Sequence, residues 1–185
     1  MKFLFIGIYA FWFLSEVILR MLLHSKNKEF KSKDNSTLNL IWVLIFLAIF
    51  LAVYASNFNF LITKDITIYY VALLFICIGI ILKFAVIADL GKFFTVDVTI
   101  KQNHKLKTDG FYKYVRHPSY AVSLLSFIGF GLSFNNWVSL IILVVIISIA
   151  FLIRIKTEEK VLIDYFGEEY LNYKKNTKKL IPFIY

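Results

Sequence analysis

Three observations point to an all-α integral membrane protein with about five transmembrane helices and a C-terminal amphipathic cytoplasmic helix. First, 59% of the 185 residues are apolar or aromatic and 18% are charged, against about 45–50% and about 25% in soluble domains; the mean hydropathy is +0.72. Second, the apolar residues fall into runs near the roughly 17–25 residues that cross a bilayer. Third, the basic residues concentrate in alternate connections, as cytoplasmic loops do.

The expected spans are Phe3 to Leu23, Leu38 to about Ile62, Ile66 to Leu90, Ser119 to Phe134 and Trp137 to Ile155. Hydrocarbon tolerates no unpaired backbone, so these runs are read as helices and not as buried strands. The fourth is short and is expected to begin at the membrane surface. Glu158 to Tyr173, with Val161, Leu162, Tyr165 and Phe166 as its apolar set, reads as an amphipathic helix on the membrane, ended or broken at Gly167.

Counting Lys and Arg gives the orientation. The loops after the first and third spans and the tail hold 17 of the 21 basic residues, whereas Lys2 and Lys64 lie on the opposite side. The N-terminus is therefore expected outside and the C-terminus in the cytoplasm. A lone leading Lys2 and the following Glu16 and Arg20 fit a retained anchor better than a cleaved signal. One membrane domain, 1–185, is expected, with three N-terminal spans over 1–90.

Composition also excludes. A single cysteine, Cys77, rules out an internal disulfide and cysteine-rich metal sites, so no metal is expected. The basic stretch Lys26 to Lys33 contains one aromatic, Phe30, and reads as attraction to anionic membrane lipids, not nucleic acid. Cys77 is taken as a small buried apolar residue and His24 as solvated. Glu16 and Arg20, four apart, are expected to pair with each other or to reach the interface, as is Asp89. Lys83 lies deeper and is the better candidate to face a cavity.

Nearly all polar sequence capable of chemistry lies in 91–118 and 154–185, and the hairpin 119–155 brings these segments together. With Asn135-Asn136 as the turn, His117 lies about 18 residues before it and Arg154 about 18 after it, so at 1.5 Å per residue both stand about 28 Å from the turn. Arg154 and Glu158 share one helix side. Spacing alone thus outlines a site bounded by His117, Tyr120, Arg154 and Glu158. Plainer readings exist beside it: Arg116-His117-Pro118 as an interfacial helix start with Arg116 on lipid phosphate, and Arg154–Glu158 as a helix-end salt bridge.

His-Lys-Leu-Lys-Thr-Asp-Gly-Phe-Tyr at 104–112, Arg-His-Pro-Ser-Tyr at 116–120, Arg154, Glu158-Glu159 and Phe-Gly-Glu-Glu-Tyr-Leu-Asn-Tyr-Lys-Lys at 166–175 resemble the isoprenylcysteine carboxyl methyltransferase family in residues, order and gaps. The resemblance covers roughly Gly91 to Phe183. It implies a membrane enzyme that binds S-adenosylmethionine at the cytoplasmic side and methylates the carboxylate of an isoprenylcysteine or similar lipophilic substrate entering from the bilayer. Cofactor contacts implied in this way are His104, Lys105, Leu106, Lys107, Tyr112, His117, Pro118, Ser119, Tyr120 and Glu158, with Arg154 orienting the substrate. Upstream of His104 the family carries a glutamine, where this chain offers Asp97 or Thr99. No Gly-x-Gly-x-x-Gly loop is present, so the cofactor is not held in the Rossmann manner. Other readings are a phospholipid N-methyltransferase, an NADPH-dependent membrane reductase of similar fold, or a non-enzymatic scaffold.

Overall fold

The computed structural model describes residues 2–22, 31–91 and 106–181, with backbone alone for 2–5, 20, 22 and 31–36. Six helices appear among them: α1 (Lys2–Leu22), α2 (Lys31–Ala55), α3 (Thr67–Leu90), α4 (Pro118–Leu132), α5 (Trp137–Phe166) and α6 (Glu168–Asn176), with a 3-10 turn over Gly110–Lys113 before α4. The described residues form no strand, only two isolated bridges. Three helices are long and apolar enough to cross a membrane: α2 over Thr37–Ala55, α3 and α5; Ile6–Leu19 of α1 and all of α4 are shorter apolar helices. Large apolar side chains such as Phe50, 68% exposed, and Ile81, 67% exposed, point away from the protein, which suits hydrocarbon and not water. The protein is a multi-pass integral membrane protein.

Two of the expected boundaries shift. α2 stops at Ala55, short of Ile62, because the Ser56 and Asn57 side chains donate to the Val53 carbonyl and the chain then turns toward the α4–α5 link. α5 runs beyond Ile155 to Phe166, absorbing the first half of the expected amphipathic helix. Gly167, at φ 53°, breaks it, and the second half becomes α6, which buries Tyr170.

Contacts fix the directions of the helices. Tyr9 meets Phe130, Trp12 meets Phe127 at 5.0 Å, so α1 runs antiparallel to α4. Ala52 accepts from Ser139 Oγ at one end of the α2–α5 pair, and Thr37 from Arg154 at the other. α3 and α4 pack closely through small residues: a Cβ on Gly129 would stand 2.6 Å from the Ala72 carbonyl, and Gly79 lies against Ser126. Close backbone approach of this kind supplies packing where lipid removes the hydrophobic drive. Trp12, Ile45, Ala48, Ile76, Phe127, Leu143, Ile147 and Phe151 form the shared core.

Both short links lie at one end of the bundle. The Asn135 amide donates to the Thr63 carbonyl and its oxygen accepts from Thr63 N–H, while Asn136 donates to the Phe58 carbonyl at 2.8 Å and caps α5 by accepting from Ser139 N–H. The residues that carry the sequence motifs therefore gather at the opposite end.

Candidate active site

The site is assembled on a short, heavily tied segment. Asp89, at the end of α3, accepts from Phe111 N–H and pairs with Lys107 at 3.0 Å, which also binds Asp109 at 2.8 Å. This anchors the 3-10 turn and buries Tyr112, whose carbonyl accepts from Tyr173 Oη at 2.6 Å. Burial, reinforced by the charges of Glu158 and Asp89, holds the Tyr112 phenol well above its usual range, so it remains a neutral donor. Residues 114–117 then pair in parallel with the tail: Lys178 N–H donates to Tyr114, Arg116 N–H to Lys178 and His117 N–H to Lys179. His117 precedes α4, its carbonyl accepting from the Tyr120 and Ala121 N–H groups, and Pro118 occupies the first turn, where its missing N–H costs nothing.

Arg116 does not face lipid phosphate. It is buried, its Nε donates to Glu159 Oε1 at 3.0 Å and its Nη1 to the carbonyls of Lys174 and Thr177. Glu159 is the hub of this end of the molecule: it also accepts from Lys174 at 2.7 Å and lies 3.3 Å from His117 Nε2. A buried carboxylate is tolerable only with such partners. Through it the arginine-histidine pair before α4, the cytoplasmic part of α5 and the end of α6 become one unit.

A cavity of about 200 Å³ opens beside this unit. Tyr112, His117, Pro118, Ser119, Tyr120, Arg154 and Glu158 all line it, so the two motif segments converge as their spacing indicates. His117 Nδ1 lies 3.7 Å from Glu158 Oε2, an oxygen that is buried with no hydrogen-bond partner. The Tyr120 hydroxyl faces Arg154 and Glu158. Arg154 is 1% exposed and donates to Thr37 Oγ1 at 2.6 Å, so it is held inside the bundle and does more than pair along its own helix. Leu106 and Lys107 are not in the lining, and the Lys107 ammonium is engaged by Asp89 and Asp109. His104, Lys105, Asp97, Thr99, His24 and the basic stretch 26–30 lie outside the described residues, as does the side chain of Arg20.

The rest of the wall comes from the first two helices, where the sequence offers no motif. Trp12, Phe13, Leu19, Ile41, Trp42 and Ile45 make it apolar. Glu16 also lines it and pairs with Lys83 on α3 at 3.6 Å. Lys83 faces the cavity, as its depth suggests, and donates to Ser123 Oγ at 2.6 Å. Cys77 is half-buried on α3. Among the described residues no group of three His, Cys, Asp or Glu side chains is placed to hold a metal ion.

Such a cavity, largely apolar along α1 and α2 and ending in His117, the Glu158 carboxylate, Tyr120 and Arg154, suits a molecule with a long apolar arm and a polar head. Residues 71–164 match the sequence model of the isoprenylcysteine carboxyl methyltransferase family. The chain is 36% identical over 129 residues to the protein-S-isoprenylcysteine O-methyltransferase of Schizosaccharomyces pombe, which covers 68% of this chain and 55% of that protein. It is 29% identical over 181 residues to protein-S-isoprenylcysteine O-methyltransferase B of Arabidopsis thaliana, 94% of this chain and 89% of the relative. The fold is similar to the solved eukaryotic intramembrane Ras methyltransferase, with a TM-score of 0.67 at 22% identity, over 97% of this chain and 65% of that one. The chain thus spans little more than half of the S. pombe relative and about two thirds of the solved structure. With the matched region enclosing most of α3, all of α4, most of α5 and the residues His117, Arg154 and Glu158, this chain belongs to the isoprenylcysteine carboxyl methyltransferase family.

Proposed function

We propose that the protein is an S-adenosylmethionine-dependent methyltransferase acting at the membrane–cytoplasm interface on the carboxylate of an isoprenylcysteine or a similar lipophilic acid. The observation that carries this reading is the single cavity in which an apolar wall from α1 and α2 runs into His117, Tyr120, Arg154 and Glu158. The names of the relatives support it.

The residues present suit the cofactor. Glu158 Oε2, buried and without a hydrogen-bond partner, is an acceptor suited to an ammonium or a ribose hydroxyl, and its charge complements a cation. The cofactor, when bound, supplies a methyl group on a positively charged sulfur. His117, fixed between Glu159 and Glu158, orients that carboxylate. Tyr112 and Tyr120 offer aromatic faces to a cation.

A carboxylate is ionised near neutral pH, so the acceptor needs no strong base. It needs alignment and the exclusion of water, and correct placement of two reactants supplies about 7–11 kcal/mol of barrier reduction. Arg154, whose guanidinium fork matches a carboxylate, sets the acceptor's orientation. Its positive charge disfavours an amine headgroup as acceptor. In the membrane the N-terminus lies outside and the motif-bearing end faces the cytoplasm, a reading supported by the basic residues concentrated there. Five spans in one membrane domain, with α1 and α4 as its shorter members, complete it.

Calorimetric titration of the detergent-purified protein tests the cofactor assignment. S-adenosylhomocysteine is expected to bind saturably in the micromolar range, with NADPH silent. Binding of NADPH alone overturns the reading in favour of a reductase, and silence from both in folded protein in favour of a scaffold.

A further inference from the structure

Lys83 is an ammonium placed at membrane depth, in a cavity wall that it shares with Trp12, Phe13, Ile45, Ile87 and Phe127. Intramembrane charge is costly and defaults to function. Packing gives no reason for it: α3 and α4 already fit together through Ala72, Gly79, Ser126 and Gly129.

Its level can be read from the helices. His117, Tyr120, Ser123 and Phe127 follow one another along the lining face of α4, as Phe151, Arg154 and Glu158 do along α5. The Phe151 ring touches Tyr120 at 5.2 Å and Phe127 at 6.3 Å, which sets Arg154 near the Tyr120 level. Lys83 binds Ser123, three residues beyond Tyr120 and hence about 4.5 Å further from the cytoplasmic end. The cavity is therefore layered: polar groups with Arg154 nearest the cytoplasmic end, Lys83, Ser123 and Glu16 one turn deeper at the level of Phe151, and Trp12 and Phe127 as an aromatic floor.

An ammonium has three N–H donors. One goes to Ser123 and one is directed at Glu16 Oε1, at 3.6 Å, too long for a hydrogen bond. We infer that Lys83 is a second recognition residue for the acceptor's anionic head, and that Glu16 is a built-in stand-in carboxylate that the acceptor displaces. This rests on the carboxyl methyltransferase reading and deepens it. Lys83 gives an anion in an apolar passage a counter-charge next to Arg154, and the loose Glu16 contact keeps the ammonium neutralised while the cavity holds no acceptor.

The two partners of the pair then have opposite effects. Lys83→Met is expected to raise the KM for N-acetyl-S-farnesylcysteine about tenfold, the scale of one charge-assisted hydrogen bond, while Lys83→Arg restores it in large part. Glu16→Gln, which removes the competitor, is expected to lower that KM about threefold, less than a full charge-assisted bond. S-adenosylhomocysteine affinity should be the same in all three.

A binding measurement separates this claim from the reaction itself. Calorimetry should show the wild type favouring the free acid over its uncharged methyl ester, with the preference narrowed about tenfold in Lys83→Met. Equal damage from Lys83→Met and Glu16→Gln, or an unchanged KM and acid preference in Lys83→Met, overturns the proposal and leaves a merely structural ion pair. Should the wild type form no ester, the methyltransferase reading falls, while the acid-over-ester preference still decides the role of Lys83.

Discussion

Glu159 draws Arg116, His117 and Lys174 onto one carboxylate, so a single side chain sets the position of the histidine that lines the cavity. Removing one partner from a buried ionic cluster costs about 3–5 kcal/mol. Glu159→Ala is therefore expected to lower the unfolding temperature markedly and to weaken cofactor binding with it, as read by thermal unfolding with and without S-adenosylhomocysteine. Glu158 is different, because its buried Oε2 makes no protein hydrogen bond that a substitution would break. Glu158→Gln should weaken S-adenosylhomocysteine by about tenfold or more, the worth of a hydrogen bond to a charged group, with little change in stability. Arg154 should separate binding from turnover: Arg154→Ala is expected to cut methyl transfer by two orders of magnitude or so, within the reach of lost positioning, and to leave S-adenosylhomocysteine affinity intact. Equal loss of both in calorimetry and transfer assays contradicts its placement on the acceptor side. His117, Tyr120, Arg154 and Glu158 were legible in the chain because a hairpin of known rise brings fixed numbers of residues to the same height. Glu159 was not, since its partners lie 15, 42 and 43 residues away, and nothing local distinguishes it from its neighbour.

At the scale of the elements, hydropathy and length found the apolar helices, and Gly167 was readable as a break because a positive φ favours glycine. What escaped was the closure of the ends. The parallel pairing of 114–117 with 178–179 depends on non-local backbone groups that carry no side-chain signature, and the side chains of Asn135 and Asn136 dock onto backbone groups of residues 58–63 more than seventy positions away. Asn136 both caps α5 and holds the neighbouring link, so Asn136→Ala is expected to cost about 1–2 kcal/mol, the upper range for a helix cap, measured as a loss of thermal stability without loss of cofactor affinity. Gly129→Leu should do more harm, because a side chain there meets the Ala72 carbonyl and drives α3 from α4. The wall bearing Lys83 moves with it. The apolar half of the cavity was equally hidden, because Trp12, Ile41 and Trp42 read as ordinary membrane-helix residues until α1 and α2 are placed beside α4 and α5.

For the molecule as a whole, the charge distribution and the cavity converge on one arrangement: an apolar passage between membrane helices that ends in a polar cluster on the basic side. Topology is checked by a cysteine introduced at Ser56 in a Cys77→Ala background. A membrane-impermeant maleimide added outside intact cells is expected to label it, and labelling only after permeabilisation inverts the assignment. The central claim is the transfer of a methyl group to a lipophilic carboxylate, and its most direct test is incubation of the purified protein with S-adenosylmethionine labelled in the methyl group and N-acetyl-S-farnesylcysteine. The account predicts a product that releases labelled methanol on treatment with base, as a methyl ester does, and loss of that product in Arg154→Ala. Label that stays attached under base, or no transfer from protein that binds S-adenosylhomocysteine, contradicts it.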